Sequence, residues 1–327
     1  MDIPLSSVSD LARRLRSPAT AEELSVFFGV PYVLVTLDDD ASEMPYAPSC
    51  PVIAITDRTE VPDFVDVVVA AEADAAIVAE AVTNNPVAAM LLVRLLRHNE
   101  RVDVSDGLFA ESLAYSTLQH GAEYQSWLAT RNERGQVVEP KAPAVLVSVN
   151  DGELRLTLNR PDKRNAYSAA VRDALCEGLQ LLADDDSLQH AVLDGAGDCF
   201  SSGGDLDEFG AATDAGLAHA SRVTRSVGAL IHRLRDRIEV HVHGACVGAG
   251  IELPAFAGHI KARADAFFQL PEVSFGLIPG AGGTVSILPR IGRRRLAYMA
   301  LTGARVDAET ALSWGLVDEI VDTNSSR

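Results

Sequence analysis

The sequence has few of the features that mark secreted or membrane proteins. Its cysteines are widely spaced, form no CxxC pair, and are Cys50, Cys176, Cys199 and Cys246. This spacing predicts reduced core thiols and neither a disulfide framework nor a zinc cage. No uninterrupted apolar run approaches the roughly 18 residues that mark a membrane span, and the N-terminus lacks a basic-then-apolar signal layout. We therefore expect no membrane partner and a cytoplasmic location.

Basic residues are also scarce. The chain has 28 Lys and Arg against 46 Asp and Glu, which gives a formal net charge of −18. Because phosphate contacts need a basic surface, this charge argues against nucleic-acid binding. A local cluster could still hold a small anion. "RIGRRR" at 290–295 is one such cluster, and it predicts either a solvated helix start or a phosphate contact.

Nucleotide-binding fingerprints are absent as well. No GxxxxGK[ST] motif occurs. In "GACVGAGIEL" the GxGxxG pattern fails, because Leu253 stands where the third glycine belongs. The sequence therefore favours neither a nucleoside triphosphate nor a dinucleotide as ligand.

The composition is that of a globular protein. The 327 residues are 47% hydrophobic and 23% charged, which predicts one large or two modest domains. Charged residues, Gly135, Pro140 and Pro143 interrupt the periodic patterns over residues 131–144. We therefore divide the chain into 1–140, a mixed α/β region that becomes helical, and 141–327, a second α/β region.

The first region shows no cluster of chemically active residues. Its patterns predict short strands over 51–56 and 64–69 and a helix over 84–99 that begins with an Asn-Pro cap. A single long helix is expected over 105–131.

The second region alternates strands with helices. Asn150-Asp151-Gly152 predicts a hairpin within 145–161. A helix over 168–185 and buried strands over 190–197 and 238–244 follow. Strands that end in glycine-rich loops indicate an α/β layered domain with its site at the strand ends.

Two glycine-rich stretches are the first chemical candidates. "SSGGD" (201–205) and "GAG" (248–250) each follow a predicted strand and lead into a predicted helix. Free backbone N–H groups at such helix starts favour negative charge, and two of them could stabilise one oxyanion. Close helix–strand packing is the competing interpretation.

Two glutamates lie in apolar surroundings. Glu252 follows Ile251 and precedes Leu253, and Glu272 lies in "LPEVSF". Burial raises the pKa of an acid toward the range useful for proton transfer. The two side chains suit a protonated and ionised pair acting on one water. A structural ion pair with an arginine is the alternative.

Other candidate groups carry weaker signals. His241 and His243 share one face of a strand, but no third metal ligand is evident nearby, so we expect no metal. Cys199 and Cys246 lack an adjacent histidine that would activate a thiol, and core packing is the better interpretation.

Residues 147–321 resemble the crotonase (enoyl-CoA hydratase/isomerase) superfamily. The resemblance is carried by collinear segments: "LNRPDKRNAYS", "CFSSGGDLDEF", "HGACVGAGIEL", "LPEVSFGLIPGAGGTVSILPRIG" and "LTGARVDAETALSWGLVDEIV". It implies a crotonase-like (ClpP/crotonase) ββα superhelix core.

The resemblance also implies roles for single residues. The oxyanion N–H groups fall on Gly204 and Ala249, and the catalytic carboxyls fall on Glu252 and Glu272. Gly280 falls beside the bound water. Both acids together favour enoyl-CoA hydratase activity, the syn addition of water to a trans-2-enoyl-CoA, over other chemistry of the family.

The implied substrate is a coenzyme A thioester, with no tightly bound cofactor. Implied CoA-binding positions are Lys163, Arg164, Ala166, Ser202, Gly203, Asp205 and Leu206. A homotrimer or hexamer is the implied assembly. Two alternatives stay open: another acyl-CoA enzyme of this fold, such as an isomerase or a secondary-metabolism enzyme, or a catalytically weak CoA-binding or assembly subunit.

The chain departs from the family at both ends. About 140 residues precede the matching part, and the family's closing helices are missing after it. Residues 84–128 are similar to those helices, so we expect a permuted arrangement in which they cover the core and serve oligomerisation. An unrelated accessory domain is the alternative.

Overall fold

The computed structural model describes residues 5–37, 47–131 and 142–322. It begins with a small parallel sheet of four strands in sequential order: β1 (Ser6–Ser7), β2 (Val33–Thr36), β3 (Val52–Ile55) and β4 (Val67–Val69). Helices α1 (Val8–Arg14) and α2 (Pro18–Glu23) connect β1 to β2. Strand β3 buries side chains on both faces, as parallel strands usually do, whereas β2 and β4 bury one face and half-bury the other. The predicted strands over 51–56 and 64–69 are confirmed, with shorter bounds.

Four helices follow the small sheet: α3 (Glu72–Asn84), α4 (Pro86–Asn99), α5 (Val104–Gln119) and α6 (Ala122–Thr130). The predicted single helix over 105–131 is wrong, because Gly121 adopts an extended conformation and separates α5 from α6. Within the described ranges no single helix has the length and apolarity to cross a membrane. Only α3 and α4 taken together pass that test, and they are bent by 109°.

The second half supplies the remaining strands and helices. The strands are β5 (Val145–Asn150), β6 (Glu153–Leu158), β7 (His190–Gly195), β8 (Ile238–Val242), β9 (Ala245–Val247), β10 (His259–Arg263), β11 (Phe267–Gln269), β12 (Val306–Asp307) and β13 (Glu319–Val321). The helices are α7 (Ala169–Asp184), α8 (Ala215–Thr224), α9 (Val227–Arg233), α10 (Ala249–Glu252), α11 (Gly283–Ser286), α12 (Leu288–Ile291), α13 (Arg293–Thr302) and α14 (Ala308–Trp314).

These strands form two sheets. The larger has the order β13-β10-β8-β7-β6-β5 and is parallel except for the β5–β6 hairpin. Asp151 and Gly152 both have positive φ in its turn, so the predicted hairpin is confirmed. The smaller sheet has the order β12-β11-β9. Its strand β9 directly follows β8 and ends just before the glycine stretch at 248–250.

Helices α3 to α6 pack into the same apolar core as the second half. One cluster of buried side chains runs from Ile53 through Leu92, Leu96 and Tyr124 to Val317. A separate small core lies around Leu11, on the other face of the first sheet. The boundary expected at residue 140 falls outside the described residues. Helices α3 to α6, which precede this boundary, share one apolar core with the second region.

The arginine cluster at 290–295 joins the two halves. Arg293 is buried, and it pairs with Asp66 at 3.0 Å and with Glu100 at 2.7 Å. Asp66 also pairs with Arg97. Arg290 donates to the carbonyls of Ala255 and Ala257. The predicted helix start is confirmed, since α13 begins at Arg293, and Arg295 is exposed. It is solvated only in part, and the phosphate interpretation does not apply to Arg290 and Arg293, because their guanidinium groups contact carbonyls and carboxylates inside the fold.

This buried ion cluster predicts a large stability effect at Asp66. Asp66→Asn leaves the buried charge of Arg293 without this carboxylate, so we expect the free energy of unfolding to fall by about 3 kcal/mol. Urea denaturation measures it. Asp236→Asn is the control, since that side chain is 97% exposed. Equal stability of both variants would contradict this role for the cluster.

Candidate active site

A cavity of about 660 Å³ opens where the two halves of the chain meet. Leu108, Glu111 and Tyr115 of α5 form one wall. The opposite wall comes from the second half and contains Gly204, Ala249, Glu252, Glu272 and Gly280. The structure therefore brings together the five residues that the sequence predicted as catalytic or close to the reacting atoms.

The two glycine stretches lie side by side at this cavity. Ser201 N–H donates to the carbonyl of Ala245, and Val247 N–H donates to the carbonyl of Ser201. Gly203 has φ +92°, and a Cβ there would lie 2.8 Å from the carbonyl oxygen of Val247. Only glycine allows this approach.

The approach of the two loops leaves two backbone donors available. Among the described residues, nothing accepts a hydrogen bond from the N–H of Gly204 or of Ala249. Both residues line the cavity, and Ala249 is the first residue of α10. An N–H at that position has no partner within the helix. The pair can therefore donate to an oxygen of a bound molecule.

Glu252 ends the short helix α10 and is 2% exposed. Its Oε2 accepts hydrogen bonds from the N–H groups of Ala281 (2.8 Å) and Gly283 (2.9 Å). Burial raises the pKa of Glu252 to about 7, against the opposing effect of these two donors. No described arginine or lysine forms an ion pair with it. The carboxyl can therefore change protonation near neutral pH.

Glu272 begins a 3-10 turn that extends to Phe275. Its Oε2 is buried and has no hydrogen-bond partner among the described residues. Burial raises its pKa well above the usual 4.5, and the charges of Glu252 and Glu111 raise it further. Gly248, with φ +50°, gives the carboxyl room, because a Cβ there would overlap Oε1. These surroundings favour the protonated form of Glu272.

A third carboxyl, Glu111 of α5, was not expected from the sequence. It is 2% exposed. Its Oε1 accepts from Gly282 N–H (2.7 Å), and its Oε2 accepts from Thr284 N–H (3.0 Å) and Thr284 Oγ1 (2.6 Å). Burial, followed by the charge of Glu252, raises its pKa to about 8. One signal could have found it, since Glu111 shares a helical stripe with Leu108 and Tyr115.

Tyr115 closes the same wall. Its ring packs against Gly280, and a Cβ on Gly280 would overlap the ring. The guanidinium of Arg222 of α8 lies 5.0 Å from the centroid of the same ring. The predicted site glycine therefore faces an aromatic side chain that the sequence had not indicated.

The predicted CoA-binding residues form two adjacent loops. Ser202 N–H donates to the carbonyl of Arg164, and Tyr167 N–H donates to the carbonyl of Gly203. Three more members form contacts within the protein. Lys163 pairs with Asp207 at 2.8 Å, Asp205 with Arg160 at 2.8 Å, and the carbonyl of Ala166 accepts from Arg160. Leu206 is exposed, and its carbonyl accepts from Arg131.

The remaining candidates form contacts outside the cavity. His241 bonds to Glu239, and His243 bonds to the carbonyl of Gly197. The described residues contain no group of three or more His, Cys, Asp or Glu side chains that could hold a metal ion. The four cysteines are free and buried, and burial raises the pKa of the Cys199 and Cys246 thiols. They are core residues, as the sequence suggested.

The raised pKa of Glu272 predicts a stability gain in Glu272→Gln. An acid whose pKa is higher in the folded than in the unfolded protein loses stability as the pH rises above its usual value. We therefore expect the variant to exceed wild type by at least about 1 kcal/mol at pH 8 and to match it near pH 4.5. Urea denaturation at both pH values tests this. Glu177→Gln, at a side chain 74% exposed, should show no such difference. A variant that gains nothing at pH 8 would contradict the burial argument.

Comparison with known proteins points to the family that the sequence motifs resemble. A family model described as enoyl-CoA hydratase/isomerase matches residues 149–325. The 2,3-dehydroadipyl-CoA hydratase of Escherichia coli (strain K12) is 33% identical over 177 residues, which are 54% of this chain and 68% of that protein. The 1,2-epoxyphenylacetyl-CoA isomerase of the same strain is 35% identical over 187 residues, which are 54% of this chain and 70% of that protein.

Solved structures agree on the fold. An enoyl-CoA hydratase from Mycobacterium smegmatis aligns with a TM-score of 0.52 at 34% identity, over 55% of this chain and 71% of that one. The expected crotonase-like core is therefore confirmed. Helices α1 to α6 lie before the segment that the family model matches. The chain belongs to the enoyl-CoA hydratase/isomerase family of the crotonase superfamily.

Proposed function

We propose that this chain is an enoyl-CoA hydratase that adds water to a trans-2-enoyl-CoA and gives a 3-hydroxyacyl-CoA. One observation carries the proposal. The cavity combines two available N–H donors with two buried carboxyls, and one of these titrates near neutrality while the other is held protonated. A base, an acid and an oxyanion site are the groups that hydration of a conjugated thioester requires.

The thioester carbonyl lies between the N–H groups of Gly204 and Ala249. As water attacks C3, negative charge builds on the carbonyl oxygen, and each donor stabilises it by about 3 kcal/mol. Because the donors are backbone groups, alanine at position 249 keeps the hydrogen bond. Its methyl group leaves less space for the substrate carbonyl to approach this N–H.

Two glutamates move the protons. Glu252, ionised, accepts a proton from water as the C3–O bond forms. Glu272, protonated, gives its proton to C2 as the enolate returns to the thioester. The proton gained by Glu252 then has to return to Glu272, through solvent, before the next turnover. The two N–H donors on Oε2 of Glu252 leave its Oε1 for the water.

The CoA moiety is held by the loops at 163–167 and 202–206, which lie beside the Gly204 donor. Helices α4 to α6 take the place of the helices that close the acyl pocket in other members of the family. Direct contacts support this assignment, because Glu111 and Tyr115 of α5 reach the loop at 280–284.

Isomerisation is the competing reaction, since the relatives include a trans-2-decenoyl-[acyl-carrier-protein] isomerase from Streptococcus mutans, 29% identical over 182 residues that are 54% of this chain and 69% of that protein. A 3-enoyl-CoA substrate separates the two. An isomerase converts it to the conjugated 2-enoyl-CoA with a gain in ultraviolet absorbance and no change in mass. A hydratase instead acts on the 2-enoyl-CoA, with a loss of ultraviolet absorbance and a gain in mass of one water.

The first prediction of this mechanism concerns the two acids. With crotonyl-CoA, Glu252→Gln and Glu272→Gln should each lower kcat by about 100-fold or more, because each removes one proton transfer. Loss of enoyl-thioester absorbance measures the rate. Glu177→Gln is the matched control and should keep wild-type activity. Full activity in either site variant would refute the assignment of roles.

The second prediction concerns pH. Since the base must be ionised and the pKa of Glu252 is about 7, kcat/KM should rise about tenfold per pH unit below pH 7 and level off above it. The acid Glu272 should stay protonated over that rise. A profile that is flat between about pH 5.5 and 8 would show that no group with this pKa acts as the base.

A further inference from the structure

We propose that Glu111 of α5 is a positioning residue of the active site, which fixes the backbone at 281–284 and thereby the two N–H groups that hold Glu252. The inference rests on the proposed function for its kinetic consequences. It concerns a residue outside the segment that the family model matches, and its own contacts are independent of any substrate.

The hydrogen bonds before α11 alternate between two glutamates. Four successive N–H groups lead into α11, where the first turn of a helix has no internal acceptors. Those of Ala281 and Gly283 donate to Glu252. Those of Gly282 and Thr284 donate to Glu111. The donors thus alternate between two carboxylates, and neither set can shift without moving the other.

Helix α4 is also connected to this loop. Asn99, the last residue of that helix, donates through Nδ2 to Thr284 Oγ1 at 3.0 Å. Thr284 is fully buried, and its hydroxyl in turn donates to Glu111 at 2.6 Å. Helices α4 and α5 therefore hold Thr284 from two sides, and the hydroxyl can turn its proton only toward the carboxylate.

Glu111 also acts electrostatically on Glu272. The charged and titratable groups that face Glu111 are Glu252 of α10, Glu272, Arg222 of α8, and Tyr115 on its own helix. None of them forms an ion pair with Glu111 among the described residues. Because the pKa of Glu111 is about 8, the carboxyl is charged at alkaline pH, and that charge raises the pKa of Glu272. Glu111 therefore helps to keep the proposed acid protonated at alkaline pH.

Glu111→Gln tests the proposal with little change in volume. The amide nitrogen meets an N–H donor of Gly282 or Thr284, so the loop must move. Because misplacement by about 1 Å costs on the order of 100-fold, we expect kcat for crotonyl-CoA hydration to fall about 10- to 100-fold with KM nearly unchanged. At alkaline pH the plateau should end in an alkaline limb, a fall in rate as Glu272 loses its proton. In the variant this limb should move to lower pH, because Glu272 loses a negative neighbour.

Glu123→Gln is the matched control. Glu123 of α6 also accepts from two N–H groups at a helix start, those of Val87 and Ala88 at 2.7 and 2.9 Å. It does not line the cavity. This variant should lower the melting temperature without changing kcat or the pH profile. Glu111→Asp, which keeps the charge, should restore the alkaline limb even where kcat stays low.

Amide hydrogen exchange by NMR separates this proposal from the proposed function. In Glu111→Gln the exchange of Gly282 and Thr284 should accelerate more than that of Ala281 and Gly283, whatever substrate the enzyme uses. If wild type fails to hydrate any enoyl-CoA but this pattern appears, the function is wrong and the positioning role stands. Unchanged exchange, or a Glu111→Gln variant with wild-type kcat and pH profile, would overturn the proposal.

Discussion

Four consecutive backbone N–H groups at 281–284, shared between two buried glutamates, are the interaction on which the rest of the site depends. One glutamate comes from α10 in the segment that matches the family. The other comes from α5, about 140 residues earlier in the chain. The start of α11 thus has no unsatisfied donor, and each carboxylate has the hydrogen bonds that make burial tolerable. Both halves of the chain therefore contribute residues that form the cavity.

The same arrangement keeps three acids in one apolar cavity at different proton affinities. Glu252 has two N–H donors and titrates near neutrality, whereas Glu272 lacks a partner for Oε2 and stays protonated. When their environments give two carboxyls different pKa values, one can act as the acid and the other as the base. Their burial costs stability, and the shared apolar core offsets that cost.

The sequence predicted features that depend on neighbouring residues. The hairpin turn at Asp151 and Gly152 follows from local turn chemistry. Glu252 and Glu272 could be found because an acid among apolar neighbours is unusual, and their grouping with Gly204 and Ala249 came from the collinear motifs. The break at Gly121 was missed because a single glycine is compatible with a helix and only the packing decides.

Long-range contacts could not be predicted in this way. The stripe with Leu108 and Tyr115 indicates that Glu111 faces the core, but its partners are more than 170 positions away. Arg293 belongs to a basic run of the kind that usually lies on the surface, yet it is buried against Asp66. In both cases the deciding fact is which helix packs on the loop at 281–284 or on the first sheet. No local pattern contains that information.

Hydration of crotonyl-CoA in water enriched in oxygen-18, followed by mass spectrometry of the thioester, tests most directly whether Glu252 activates the water. We expect wild type to form 3-hydroxybutyryl-CoA that carries one solvent oxygen, and the Glu252→Gln variant to lose this product. An unlabelled product, or a labelled product formed equally well without Glu252, would contradict the claim that this carboxylate activates the water.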